Sequence, residues 1–176
     1  MAFLTVSAFA EAKGITYDCD TAADHFSELS MPVDTVTFTV TGKVQLKTLA
    51  PSATYAPIAR VQIASSAAPG QAPDIYAGFA LTALPVDAKK APAGMPAVQM
   101  LGYSVNGKED DIIPFSLLTK PGTIQPFSLT YDGKAVVVNL GGEAKQFPLR
   151  TKEPVVRLIC STGEFLFTDI TIISSR

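Results

Sequence analysis

The sequence contains no tryptophan, one histidine and two cysteines, and only 17% of its residues are charged. Each shortage closes off a class of chemistry. With His25 the sole histidine, any Ser-His-Asp or Cys-His arrangement has one possible base, and its Asp24 and Glu28 neighbours are more simply read as a polar surface. One His and two distant Cys fall short of the four ligands of structural zinc. The Gly141-Gly142 pair is followed by "EAK" between two strand patterns, not by a helix carrying Lys-Ser/Thr, so no phosphate cradle is expected. Fourteen basic against sixteen acidic side chains give a net charge of −2, which offers no electrostatic footprint for nucleic acid. No apolar run approaches the roughly eighteen residues that cross a bilayer. The expectation is no cofactor, no metal, no nucleic acid and no membrane span.

What is present is enough apolar material to fold. A chain of 176 residues, 47% of them hydrophobic, can bury roughly 70% of its unfolded surface, so one domain over residues 1–176 is expected. The first twelve residues, "MAFLTVSAFAEA", carry an Ala-x-Ala triplet at Ala8-Phe9-Ala10 but no basic segment before it. They read as an opening strand or as the start of a processed chain, and the expected location is extracytoplasmic, periplasmic or secreted. Cys19 and Cys160 leave two readings open. The simpler makes each a small buried hydrophobe; the other joins them across 141 residues, which stabilises by several kcal/mol in the chain-entropy treatment.

Strand patterns run almost the whole length. In "TVTFTVTGKVQLKTL" (Thr35 to Leu49), Val36, Phe38 and Val40 share one parity and Thr37, Thr39 and Thr41 the other, after which Val44 and Leu46 alternate with Gln45 and Lys47. That is one long strand, or two broken at Gly42. "IARVQIAS", "IYAGFALTAL" and "AVQMLGYSV" follow, the last ending at the turn dipeptide Asn106-Gly107. One window, Asp20 to Leu29, shows helical spacing of Ala22, Phe26 and Leu29 behind Thr21 and Asp24, and a short helical turn is expected there. The last fifty residues give five strand signals with turn residues at each joint, read as a meander, and Asp132-Gly133 is read as a type I′ hairpin turn. Ten or eleven short strands and almost no helix argue for an all-β antiparallel sandwich or jelly roll.

The run "FSLTYDGKAVVVNLGG" followed by "GEFLFTDITI" resembles the tail of the concanavalin A-like lectin/glucanase (laminin G-like) sandwiches, over Phe127 to Ile172. The resemblance implies a two-sheet fold, and its glycosidase members imply acidic residues alternating on one strand. The acidic cluster here is Glu109-Asp110-Asp111, which reads as a solvated turn, with a glycosidase pair or a weak calcium contribution as lesser readings. The family's catalytic motif is absent. What remains is binding. Tyr55, in the loop "APSATYAP", and Tyr103, near the Asn106-Gly107 turn, are the aromatic candidates for ligand contact. Arg60 and Arg157 sit in apolar strands, where they form ion pairs or line a polar groove on the concave sheet. The reading is a non-catalytic binding module whose partner is carbohydrate or another protein. The alternatives are a glycoside hydrolase-like enzyme lacking the usual acidic motif, or a structural or envelope assembly protein. Two carboxyl groups about 5 Å apart on the concave sheet would mark retaining hydrolysis.

Overall fold

The structure, a computed structural model, describes residues 14–50, 52, 54–68, 71–85, 98–107 and 113–174. The opening strand expected over the first twelve residues and the Glu109-Asp110-Asp111 cluster lie outside that set. The described residues form twelve strands: β1 (Ile15–Asp20), β2 (Phe26–Pro32), β3 (Phe38–Leu49), β4 (Ile58–Ser65), β5 (Tyr76–Pro85), β6 (Val98–Asn106), β7 (Pro114–Thr119), β8 (Gln125–Tyr131), β9 (Ala135–Leu140), β10 (Glu143–Pro148), β11 (Pro154–Ser161) and β12 (Gly163–Ser174). They build two six-stranded antiparallel sheets, sheet A in the order β1-β12-β3-β8-β9-β10 and sheet B in the order β2-β11-β4-β5-β6-β7. No helix among the described residues is long and apolar enough to cross a membrane.

The alternation read from β3 is the alternation observed. Phe38, Val40, Val44 and Leu46 are buried between the sheets. Thr39 and Thr41, on the outer face, bond instead to Thr130 (3.1 Å) and Thr171 (2.7 Å) on flanking strands. β3 is continuous through Gly42, whose missing side chain makes room for Ile170 and Phe127: a Cβ there would lie 2.3 and 2.8 Å from them. Sheet B contributes Val61, Ile63, Phe79, Leu81, Val156 and Leu158 to the same core.

Three local expectations are corrected. Asp20 to Leu29 holds no helical turn. The chain turns at Ala22–His25, where His25 N donates to Ala22 O (3.2 Å) and Asp24 has φ of 64°, a left-handed conformation that a right-handed helix cannot continue through. From Phe26 the alternation is that of a strand, with Leu29 and Met31 against the core. The five C-terminal strands are not one meander: β8, β9 and β10 are neighbours in sheet A, whereas β11 lies between β2 and β4 in sheet B and β12 between β1 and β3 in sheet A. The switch of sheet falls at Thr162-Gly163, where φ is 59° and 155°. Finally, the β8–β9 turn has positive φ at Gly133 (85°) but not at Lys134, the pattern of a type II′ turn. Asp132 precedes it and accepts hydrogen bonds from the N–H groups of Lys134 (2.8 Å) and Ala135 (2.7 Å), which hold its carboxyl below the usual carboxylate range. The type I′ turn belongs to the β9–β10 joint, where Gly141 and Gly142 have φ of 62° and 81°.

The cysteines are bonded, which overturns the simpler reading. Cys19 on β1 and Cys160 on β11 are joined (S–S 2.08 Å, Cα–Cα 6.1 Å), and the bridge spans sheet A to sheet B. Beside it, Thr21 N and Oγ1 both donate to Gly163 O (3.1 and 2.9 Å), and Gly163 N donates to Thr21 Oγ1 (3.2 Å). Elsewhere the sheet edges meet through Glu143 on β10, which accepts from Ser116 N on β7 (2.7 Å) and from Lys145 Nζ (2.5 Å). These bonds push its carboxyl down to about 2. A disulfide persists in oxidising compartments, so the bridge is consistent with an extracytoplasmic protein.

Candidate functional site

The period-2 geometry that fills the core also decides what sheet B shows on its other face. On β4, Ala59, Val61 and Ile63 face inward, so Arg60 and Gln62 face outward. Register then sets their neighbours: Arg60 is opposite Ile159 and Ala80, and Gln62 is opposite Arg157 and Gly78. Across β11 lies β2, with Glu28 opposite Ile159 and Ser30 opposite Arg157. On the far side, Ala80 is opposite Tyr103 of β6.

Two adjoining hollows, of about 650 and 560 Å³, lie over the β2-β11-β4 part of this face and share Phe26, Glu28, Ala72, Pro73 and Arg157. Together they form one groove. The structure brings three of the four residues expected from sequence to it: Tyr55, Arg60 and Arg157 line the second hollow. Tyr103 is on the same face but is not part of the groove's lining. Burial raises its phenol pKa, and the nearby positive charge of Arg60 pulls the other way. His25 is exposed, with Nδ1 2.8 Å from the Ala23 carbonyl oxygen.

The two arginines fare differently. Arg157 Nε donates to Glu28 Oε1 (2.6 Å), and its Nη2 donates to Glu28 Oε2, a bidentate pair on the groove wall. Ser30 Oγ also donates to Glu28. Burial works to raise the Glu28 pKa, but the hydrogen bonds from Arg157 and Ser30 outweigh it and hold the carboxyl below its ordinary 4.5. A carboxyl whose folded pKa lies below its unfolded one contributes stability in full above pH 4.5 and loses it as pH falls through the depressed value. The thermal midpoint gap between wild type and Glu28→Gln is therefore expected to be constant above pH 4.5 and to close in more acid solution. Scanning calorimetry across that range checks it; a gap that widened with acid would contradict it. Arg60 makes no ion pair or hydrogen bond among the described residues.

Sequence reasoning did not find Phe26, Gln62 and Ser65. Phe26 is 75% exposed and borders both hollows, with Tyr55, 60% exposed, on the rim of the second. Gln62 is only 3% exposed. Its Oε1 and the Ser65 Oγ are the buried side-chain polar atoms without a hydrogen-bond partner among the described residues, and both residues line the groove. The available signal was the alternation Phe26-x-Glu28-x-Ser30, the same pattern that makes β2 a strand.

No protein-family model matches the sequence, and no curated protein matches it. Solved structures do. The marine PL7 alginate lyase AlyA1 from Zobellia galactanivorans is similar over 99% of this chain and 86% of its own, with TM-score 0.56 and 8% identity. Sheep galectin-11, solved with glycerol, is similar over 87% of this chain and 99% of its own (TM-score 0.48, 15% identity). A fructosyltransferase from A. japonicus is similar over 93% of this chain (TM-score 0.52, 15% identity), which spans only 26% of that protein. The chain has the concanavalin A-like lectin/glucanase β-sandwich fold. A fold shared with a lyase and with part of a transferase does not itself assign an activity.

Proposed function

We propose that this chain is a saccharide-binding module and that its ligand lies in the groove over β2, β11 and β4. The observation that carries the reading is the pairing of two exposed aromatic rings, Phe26 and Tyr55, with a groove wall that holds buried, unpartnered polar atoms. Sugars present apolar ring faces and hydroxyl edges at once. Aromatic side chains take the first, and fixed amide, hydroxyl and guanidinium groups take the second. Exposed aromatics on a soluble surface also carry a solvation cost that a stacked ring would relieve. The similarity to AlyA1, named as an alginate lyase, supports a saccharide over other small ligands.

Retaining hydrolysis finds no support on this face. It needs two carboxyl groups about 5 Å apart, and Glu28 is the sole carboxylate among the described outward-facing residues of the sheet B strands. It is already bound by Arg157.

Titration calorimetry against a glycan panel tests the reading. Phe26→Ala and Tyr55→Ala are each expected to weaken a bound glycan several-fold, and the double variant about tenfold or more, with thermal midpoints unchanged because both rings are exposed. A glycan bound equally well by the double variant would place the ligand elsewhere.

A further inference from the structure

This inference rests on the groove reading above and narrows it to one class of saccharide. A buried polar atom without a partner is rare in a folded protein and asks for an explanation. Here such atoms occur at Gln62 Oε1 and Ser65 Oγ, and both residues border the groove. Gln62 Oε1 is an acceptor, so its missing partner is a donor. Two residues earlier on the same face of the same strand, about 7 Å away along β4, stands Arg60, a groove-lining guanidinium with no ion pair among the described residues. The nearest candidate counter-charge on the face, Glu28, is held on both oxygens by Arg157. The groove therefore offers an unneutralised planar cation and, one strand repeat away, a lining amide whose buried oxygen lacks a donor and meets one when the side chain turns into the groove.

We propose that the groove selects an acidic saccharide, with Arg60 receiving a sugar carboxylate and Gln62 Oε1 accepting a hydrogen bond from a sugar hydroxyl. The guanidinium fork matches a carboxylate bidentately. A uronic acid carries that anion and its hydroxyl donors on one ring, which is the complement of this pair. A fully ionised phosphate meets Arg60 equally well but brings no donor to Gln62. A neutral sugar meets Gln62 but leaves Arg60 desolvated and unpaired, which costs affinity. Phe26 and Tyr55 would stack on either sugar, so discrimination between acidic and neutral forms lies with Arg60.

The test is titration calorimetry of the full chain with a panel of oligouronates of differing linkage, each paired with its carboxyl-reduced, neutral counterpart. At least one oligouronate is expected to bind about tenfold or more tightly than its reduced form. Arg60→Gln is expected to bring the two within about twofold by weakening only the acidic ligand. Gln62→Glu is nearly isosteric and supplies Arg60 with an internal carboxylate. It is expected to remove the preference in the same way, at a thermal midpoint lowered by the burial of the new carboxylate, and gives a second reading if Arg60→Gln folds poorly. Equal affinity for acidic and reduced forms, a sulfated neutral sugar bound as tightly as the uronate, or equal weakening of both forms by either variant overturns this inference and leaves the saccharide reading standing. Absence of binding to every saccharide overturns both.

Discussion

Replacing Cys19 and Cys160 together with Ala lowers the free energy of unfolding by about 2–5 kcal/mol, and the effect appears as a fall in the denaturant midpoint with a steeper slope, because the unfolded chain is no longer held compact. The magnitude follows from position. The bridge closes a separation of 141 residues, for which the loop-entropy relation gives about 5 kcal/mol at room temperature. Both cysteines are fully buried, so two small voids add to the cost. Reduction of the wild type by dithiothreitol under mildly denaturing conditions should reproduce most of the loss. The consequence is larger than for an average bridge because β1 is an edge strand of sheet A with β12 as its one neighbour, and the bridge fastens it to β11 inside sheet B. Without the bridge, β1 depends on its pairing with β12 and on the Thr21–Gly163 bonds. Hydrogen exchange should therefore speed first in β1. Denaturation curves for the double variant and wild type that superimpose would show that the two sheets hold this edge without covalent help.

Gly78→Ala is the second change with a large expected effect, a loss of about 3 kcal/mol or more. Gly78 lies on β5, in the middle of sheet B, opposite Gln62 and Val105. A Cβ at this position would come within 2.0 Å of Val61 O and 2.6 Å of Gln62 Cα. These are backbone atoms of a paired strand, and no side chain can rotate away to make space. Relief requires parting β4 from β5, which breaks ladder bonds and shifts the strand that carries Arg60 and Gln62. Stability and saccharide binding should fall together, unlike in Arg60→Gln, which alters binding alone. Chemical denaturation measures the first effect and calorimetry the second. A Gly78→Ala protein within about 0.5 kcal/mol of wild type would mean that the β4–β5 pairing tolerates more separation than this packing allows.

The strands were legible because burial on one face writes itself into sequence as period 2. "IARVQIAS" is β4 to the residue, and the alternation of β3 gives its buried set in full. What was not legible depends on partners distant in the chain. Glu28 and Arg157 are 129 residues apart, so neither alone says that it is paired. Cys19 with Cys160 is the same case. Phe26 was absorbed into a helical pattern because three apolar residues at suitable spacing look the same whether the backbone coils or turns once and extends. The positive φ at Asp24 that decides the matter leaves little trace in an Asp. Gln62 was passed over because a single amide in an apolar strand is the expected outward half of the alternation. Its significance lies in having no partner, which is a property of the assembled face. Tyr55, Arg60 and Arg157 could be singled out one at a time, but their convergence on one groove comes from register alone.

The insertion of β11 between β2 and β4, and of β12 between β1 and β3, fixes the order in which the sheets can close. β1 pairs with β12 and β2 pairs with β11, so the first two of the twelve strands wait for the last two. Until residues 154–174 emerge, β3 and β4 present open edges and the groove lacks its Arg157 wall. Before then β4-β5-β6-β7 and β8-β9-β10 can pair in chain order, whereas β3 reaches β8 only across all of β4 to β7. During that interval the open edges of β3 and β4 are exposed to pairing with another chain.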